Sequence, residues 1–203
     1  MNKTLSVIAM AIAMVSCGAD QGTQSVKQEK AEAALEVINS RVSVRQFTGE
    51  KLSAEQIETI LRAGMSAPTA VNKQPWAFVV VDDEAILKQL SEAILSSRIE
   101  NGASHVVVVC GDMDKALEGE AQGYWVEDTS AATENMLLAA HAMGLGGLWV
   151  GVYPISERVQ QVSKIIQTPE HIIPMCLVVL GQPAEQPAVK DKWKVENIHY
   201  NKF

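Results

Sequence analysis

The chain has 203 residues, 47% of them hydrophobic and 20% charged, a composition that suits one globular domain with a substantial core. Its formal net charge of −7 excludes the basic footprint of a nucleic-acid-binding protein. The four histidines are scattered at 105, 141, 171 and 199, and the three cysteines form no C-x-x-C pair, so no metal-site spacing is visible.

The N-terminus comes first in chain order. Lys3 precedes an almost wholly apolar run, LSVIAMAIAMV, from Leu5 to Val15. The run is too short to span a bilayer as a helix and has the length of a signal-peptide core. It ends at MVSC, which resembles a bacterial lipobox. Residues 1–17 are therefore expected to be a lipoprotein signal peptide ending at an acylated Cys17. That places the protein in the cell envelope on a membrane; an ordinary signal peptide cut near Ala19 is the other reading. Residues 18–28 are small and polar, and read as a flexible tether.

A domain is expected over 29–203. Its first helix is predicted over Glu29–Ile38, with Ala34, Leu35 and Ile38 on one side. A second begins after Ser53, where S-A-E-Q forms a capping box with Gln56. Ile57, Ile60 and Leu61 make its apolar stripe, and Gly64 is its expected stop. WAFVVV, Trp76–Val81, is a predicted strand. A helix over Glu84–Leu95 turns Ile86, Leu87, Leu90 and Ile94 inward. HVVVVC, His105–Cys110, is the second strand, and 112–123 reads as a short helix or loop. The longest helix is expected over Val126–Met143, with small alanines that admit a close neighbour. Leu148–Tyr153 is the third strand, Ser156 caps a helix to Ile166, and Met175–Leu180 is the fourth strand. The tail from Gln182 is polar and Pro-rich, with no core pattern of its own. Strands this continuously apolar are covered on both faces, which implies helices on both sides of one sheet. Cys110 and Cys176 sit in two of these strands, and their pairing is left open.

Three stretches carry candidate chemistry. In RVSVRQF, Arg41–Phe47, residues Arg41, Ser43 and Arg45 alternate with valines, so an extended segment puts two guanidiniums and a hydroxyl on one face. Arg forks match phosphate oxygens; a solvated edge segment is the plainer alternative. SAPTAVNKQPW, Ser66–Trp76, is a long connector. Residues before proline are pushed away from α geometry, so Ala67 and Gln74 are expected to be extended. Asn72 offers amide donors and an acceptor suited to a heterocycle edge; a rigid structural connector is the competing account. GLGGLWVGVYP, Gly144–Pro154, allows close backbone approach, though it lacks the G-x-G-x-x-G setting of a dinucleotide fold. Lys190 and Lys192 alternate in the tail. No nucleophile elbow, H-E-x-x-H or P-loop is present.

Taken in order, these pieces resemble the nitroreductase family of flavoproteins. RVSVRQF is similar to the family's R-x-S-x-R-x-F segment, and SAPTAVNKQPW to its S-A-P-S-x-x-N-x-Q-P-W loop. AATENMLLAAHAMGLGGLW resembles its long helix and glycine turn, and GQPAEQPAVKDKWKVENIHYNKF its C-terminal arm. The resemblance spans residues 30–203. It implies an α+β fold, a three-layer α/β/α sandwich around one mixed sheet, in a homodimer with C-terminal arm exchange. It also implies FMN in clefts between the subunits. Arg41, Val42 and Ser43 then lie at the flavin phosphate, completed by Lys190 and Lys192. Arg45 matches the family's cation near flavin N1 and O2, and Asn72 the residue bonding the ring edge. Pro68 and Thr69 match contacts to the partner subunit's flavin. Leu148, Trp149, Val150 and Gly151 match the backbone near flavin N5. The activity implied is FMN-dependent hydride transfer from NAD(P)H to a nitroaromatic, a quinone or another electron-poor acceptor, with no side chain assigned as proton donor. Two departures are Val42, where the family commonly has a second Arg, and the short segment after Cys110, where larger relatives carry a lid. An envelope flavin-binding protein with little turnover and a reductive dehalogenase are the alternatives.

Overall fold

The structure, a computed structural model, describes residues 17–94 and 98–203, with the backbone alone for 17–23. The expected signal-peptide core, residues 1–16, lies outside the described residues, as do the side chain of Cys17 and the expected helix end at Leu95. The chain divides into two compact units, one ending at Asn39 and the other running Ser40–Phe203.

The first unit is carried by α1 (Cys17–Ser40). Ala, Glu, Lys and Gln dominate its middle, and all are strong helix formers. Gln28 Nε2 donates to Glu32 Oε1 one turn further on, at 2.8 Å. The segment 18–28, expected to be a flexible tether, lies within this helix, because the helix-forming composition starts before Glu29, at Gln24, Lys27 and Gln28. Val26, Leu35 and Ile38 are exposed on it.

In the second unit the elements are α2 (Ala54–Met65), β1 (Trp76–Val81), α3 (Glu84–Ala93), β2 (His105–Asp112), α4 (Tyr124–Ala142), β3 (Gly146–Gly151), α5 (Ser156–Ile166) and β4 (Ile172–Gly181). Single helical turns lie at Ala70–Asn72, Gly119–Gly123 and Val195–Asn197. The strands form one sheet in the order β1-β2-β4-β3. Every neighbouring pair is antiparallel. The mixed sheet expected from the sequence is thus corrected to an antiparallel one among the described residues. Continuous apolar runs report that both faces are covered and carry no information about strand direction.

Both faces are indeed covered. Val106, Val108, Cys110, Leu177 and Val179 face one way, against Leu87, Leu90 and Ile94 of the α3 region and Val162 of α5. Val107, Val109, Cys176, Val178 and Leu180 face the other way, against Ile57 and Ile60 of α2 and Met136 and Leu137 of α4. The result is three layers, α/β/α. Cys110 and Cys176 therefore sit on opposite faces of adjacent strands, and both are free thiols. Burial pushes each thiol up to about 12, so both are inert packing groups.

Local signals set some of the element ends. Ser53 Oγ accepts from Gln56 N at 3.1 Å, and Gln56 Oε1 accepts from Ser53 N at 2.8 Å, completing the capping box before α2. Gly64 does not stop α2; it lies inside the helix, one residue before its end. A Cβ there would come within 2.5 Å of Met136 Cε and 3.4 Å of the Ala132 carbonyl on α4, so its role is close helix packing. Ile155, not Ser156, occupies the position before α5, without a side-chain cap. β3 starts at Gly146, and Val152 and Tyr153 leave it by both donating to the Met175 carbonyl.

Candidate functional site

The segment Arg41–Phe47 runs outside the sheet and lies across the ends of β3 and β4. Val44 and Phe47 are buried, and Val44 N donates to Gly147 O at 3.2 Å. A Cβ on Gly146 would meet Phe47 Cε1 at 2.8 Å and Val44 Cγ1 at 2.9 Å, and one on Gly181 would meet Phe47 Cδ1 at 3.0 Å. Glycine at both strand ends is what lets the segment lie this close. Val44 thus points inward as the alternation requires, while Val42 is only half-buried. The polar residues divide. Arg41, with its side chain only 17% exposed, points to α4 and pairs through Nε with Glu134 Oε1 at 3.3 Å. Arg45 is exposed, and its Nη1 donates to the Ser43 carbonyl at 3.1 Å. Ser43 lies between them, half-buried.

The root of the C-terminal tail is tied to the same segment. Phe47 bridges Pro183, Thr48 N donates to Gln182 O, and Ala184 N donates to Gln46 O. Arg45 N donates to Glu185 Oε1 at 2.9 Å. Beyond that root the tail is exposed. Lys190 and Lys192 are exposed and make no side-chain hydrogen bond or ion pair among the described residues.

The connector between α2 and β1 is held in unusual backbone geometry. Val71, Asn72 and Gln74 have φ of 51°, 56° and 51°. For a non-glycine residue this region costs roughly 1–2 kcal/mol, and for β-branched Val71 it is a marked outlier. Gln74 is thus left-handed, where the following proline led to an expectation of extended backbone. Its amide explains the difference: Gln74 N donates to Thr69 Oγ1 at 3.1 Å, and Gln74 Nε2 to Asn72 Oδ1 at 3.1 Å. The loop closes on its own side chains and leaves Pro68, Val71 and Asn72 exposed, with Thr69 half-buried.

β3 is an edge strand. Leu148 and Val150 are buried in the core on one face, and Trp149 is half-buried on the other. Gly151 is exposed, and its carbonyl accepts from Arg158 Nη1 at 3.0 Å. This stretch therefore offers backbone, not side chains, on the edge away from β4.

Sequence reasoning missed the groups that organise these pieces. Asp128 on α4, 6% exposed, accepts from Ala70 N through Oδ1 at 2.8 Å. Glu134 on the same helix holds Arg41. The two are about 9 Å apart along the helix axis, so α4 anchors both the arginine segment and the strained loop. Acidic residues in an Ala-rich helix were the available signal, but their partners are far away in sequence. A further cluster went unseen for the same reason. Donor atoms of Asp112, Asp114 and His171 lie within 4.8 Å of one another. Lys115 Nζ sits 2.7 Å from Asp112, and His171 Nδ1 3.8 Å from Asp114, so each acid already faces a basic group.

Comparison with known proteins decides the family. The nitroreductase family model matches residues 38–123 and 99–182. The chain belongs to the nitroreductase family. Among its nitroreductase relatives is a protein of Archaeoglobus fulgidus provisionally named NADH dehydrogenase/NAD(P)H nitroreductase. It is 40% identical over 175 residues, covering 85% of this chain and 99% of the relative. A crystal structure of a Bacteroides thetaiotaomicron protein bearing the same provisional name is 40% identical, with a TM-score of 0.79, over 84% of this chain and 98% of that one. A Desulfovibrio desulfuricans nitroreductase-like protein solved in complex with FMN is 28% identical, with a TM-score of 0.72, over 84% of this chain and 97% of that one. The donor set of this nitroreductase fits such a ligand: Arg41 and Ser43 suit a phosphate ester, and exposed Arg45 and Asn72 suit the polar edge of a heteroaromatic ring.

Proposed function

We propose that this chain is an FMN-dependent NAD(P)H oxidoreductase that works as a homodimer and reduces a small electron-poor acceptor such as a nitroaromatic or a quinone. The observation that carries the proposal is the hanging of both candidate binding segments on one helix of a nitroreductase fold. Arg41 is set by Glu134, and the Asn72 loop by Asp128.

Bound FMN supplies hydride transfer between a pyridine nucleotide and an acceptor. The chain's own residues bind and orient. Arg41 and Ser43 hold the phosphate with their remaining donors, supplemented by Lys190 and, less directly, Lys192. Arg45 places a cation beside the ring, where negative charge is stabilised. Asn72 bonds the ring edge, and the β3 backbone from Leu148 to Gly151 lines the reacting side. Pro68 and Thr69 serve the flavin of the partner subunit. The exposed tail residues Trp193, Tyr200 and Phe203 support arm exchange, since apolar side chains on a tail gain from burial against a second copy.

The location belongs to the same proposal. Cys17 carries lipid and the domain sits on an envelope membrane, where NAD(P)H is not the ordinary reductant, so a membrane or extracytoplasmic donor can take its place.

The test is the absorbance spectrum of the purified protein, followed by anaerobic titration with NADH and NADPH. A yellow protein that releases FMN on denaturation and bleaches on titration is expected. A colourless protein that fails to take up added FMN at micromolar concentration ends the proposal.

A further inference from the structure

Asp128 is a nearly buried acid that plays no direct part in the binding roles above. Its Oδ1 reaches across 58 positions of sequence to accept from Ala70 N at 2.8 Å. Ala70 opens the single turn Ala70–Asn72. Immediately after it come the residues held at positive φ, Val71 and Asn72, then Gln74. The loop's internal bonds, from Gln74 to Thr69 and to Asn72, close it upon itself but do not fix it to the rest of the molecule. Among the hydrogen bonds of residues 68–74, the Asp128 contact is the one made to α4. A conformation this strained persists only where its surroundings determine it; besides the apolar packing of Ala67 and Trp76 at the loop's ends against Ala132, α4 supplies a single carboxyl group.

We infer that Asp128 is a positioning residue: by bonding Ala70 N it holds the 66–75 loop in the geometry that presents Asn72 and Thr69, and thereby sets flavin affinity without touching the flavin. The inference rests on the FMN reading above. It goes beyond that reading in assigning the loop's conformation to one nearly buried side chain of α4. What matters is an acceptor atom at Oδ1, since the partner is a neutral amide N–H. Asparagine keeps that acceptor; alanine removes it and leaves the Ala70 donor without a partner.

The experiment compares wild type, Asp128→Ala and Asp128→Asn in the full chain. Hydrogen exchange over 66–76 is followed in FMN-free protein, and FMN is titrated separately. Asp128→Ala is expected to speed exchange in 66–75 while α2 and β1 keep their protection, and to weaken FMN binding by roughly tenfold or more. Asp128→Asn is expected to stay close to wild type in both. The inference is overturned if Asp128→Ala binds FMN within about twofold of wild type, or if the Asn variant behaves as the Ala variant does. It is equally overturned if protection is lost across the sheet, since that marks a general structural role. The exchange measurement needs no flavin. A wild type that fails to bind FMN therefore overturns the function and the affinity link, while the exchange pattern still tests Asp128's hold on the loop.

Discussion

Arg41 enters the site already paired. Its guanidinium is mostly buried, and Glu134 orients it through Nε, which leaves the outer nitrogens for an oxyanion. A hydrogen bond to a charged group contributes about 1.5–3 kcal/mol, whereas an exposed ion pair of the kind Lys192 can form contributes about 0–1 kcal/mol. Arg41→Ala should therefore weaken FMN binding by roughly tenfold or more, and Lys192→Ala by only a few-fold. Equal affinities in fluorescence titrations of the two variants would contradict the ranking. His105, at the start of β2, gives a pH dependence of stability. Burial holds its pKa below the ordinary 6.5, with Asp82 pulling it up and Lys51 pushing it down. The unfolded chain therefore takes up the proton first as pH falls through about 6.5, and the folded state loses stability from there downward. Between about pH 7.5 and about pH 5.5 the melting temperature of wild type should fall more than that of His105→Gln. Parallel pH profiles would remove His105 from the account.

Helix α2 shows what a sequence pattern reveals and where it stops. Its start was legible, because a capping box is a local event that four residues specify. Its apolar stripe was legible from period alone, with Ile57 and Ile60 both buried. The role of Gly64 was not. A glycine near a helix end looks like a terminator, but this one is small because Met136 and the Ala132 carbonyl of α4 lie against it. Gly64→Leu should destabilise the domain by about 1–3 kcal/mol through overpacking, read as a lowered melting temperature. A variant as stable as wild type would show that α2 and α4 have room to part. The same division runs through the site. Arg41, Ser43, Asn72 and the β3 backbone could be nominated as candidates from the sequence because each sits in a compact motif. Glu134 and Asp128 were not, because a single acid on a helix carries no local mark of a partner many residues away. Strand positions were legible too, while strand direction was not, since a helix-covered antiparallel sheet has the same apolar runs as a parallel one.

At the scale of the whole molecule, the tail and the N-terminus carry the two proposals that involve more than one chain. Trp193, Tyr200 and Phe203 are almost fully exposed on the tail, although its root is tied to the arginine segment by backbone bonds. Truncation after Gly181 should yield monomer or aggregate and abolish FMN binding; a truncated protein that elutes as a yellow dimer would refute arm exchange. Cys17, at the other end, opens α1. If the envelope proposal is right, this residue is acylated with two chains, because a single acyl chain gives only marginal membrane binding. Helix α1 changes what that anchor means. A flexible coil of the same segment would collapse to a short reach, whereas a 24-residue helix is about 36 Å long. Lipid at Cys17 would then sit at the far end of a stiff element, and a dimer would carry two of them, making release from the membrane very slow. Cys17→Ser should abolish labelling by fatty acid and move the protein to the soluble fraction, with its flavin content unchanged. A wild-type protein that takes no label, alongside a Cys17→Ser variant that fractionates as wild type does, would instead point to simple secretion.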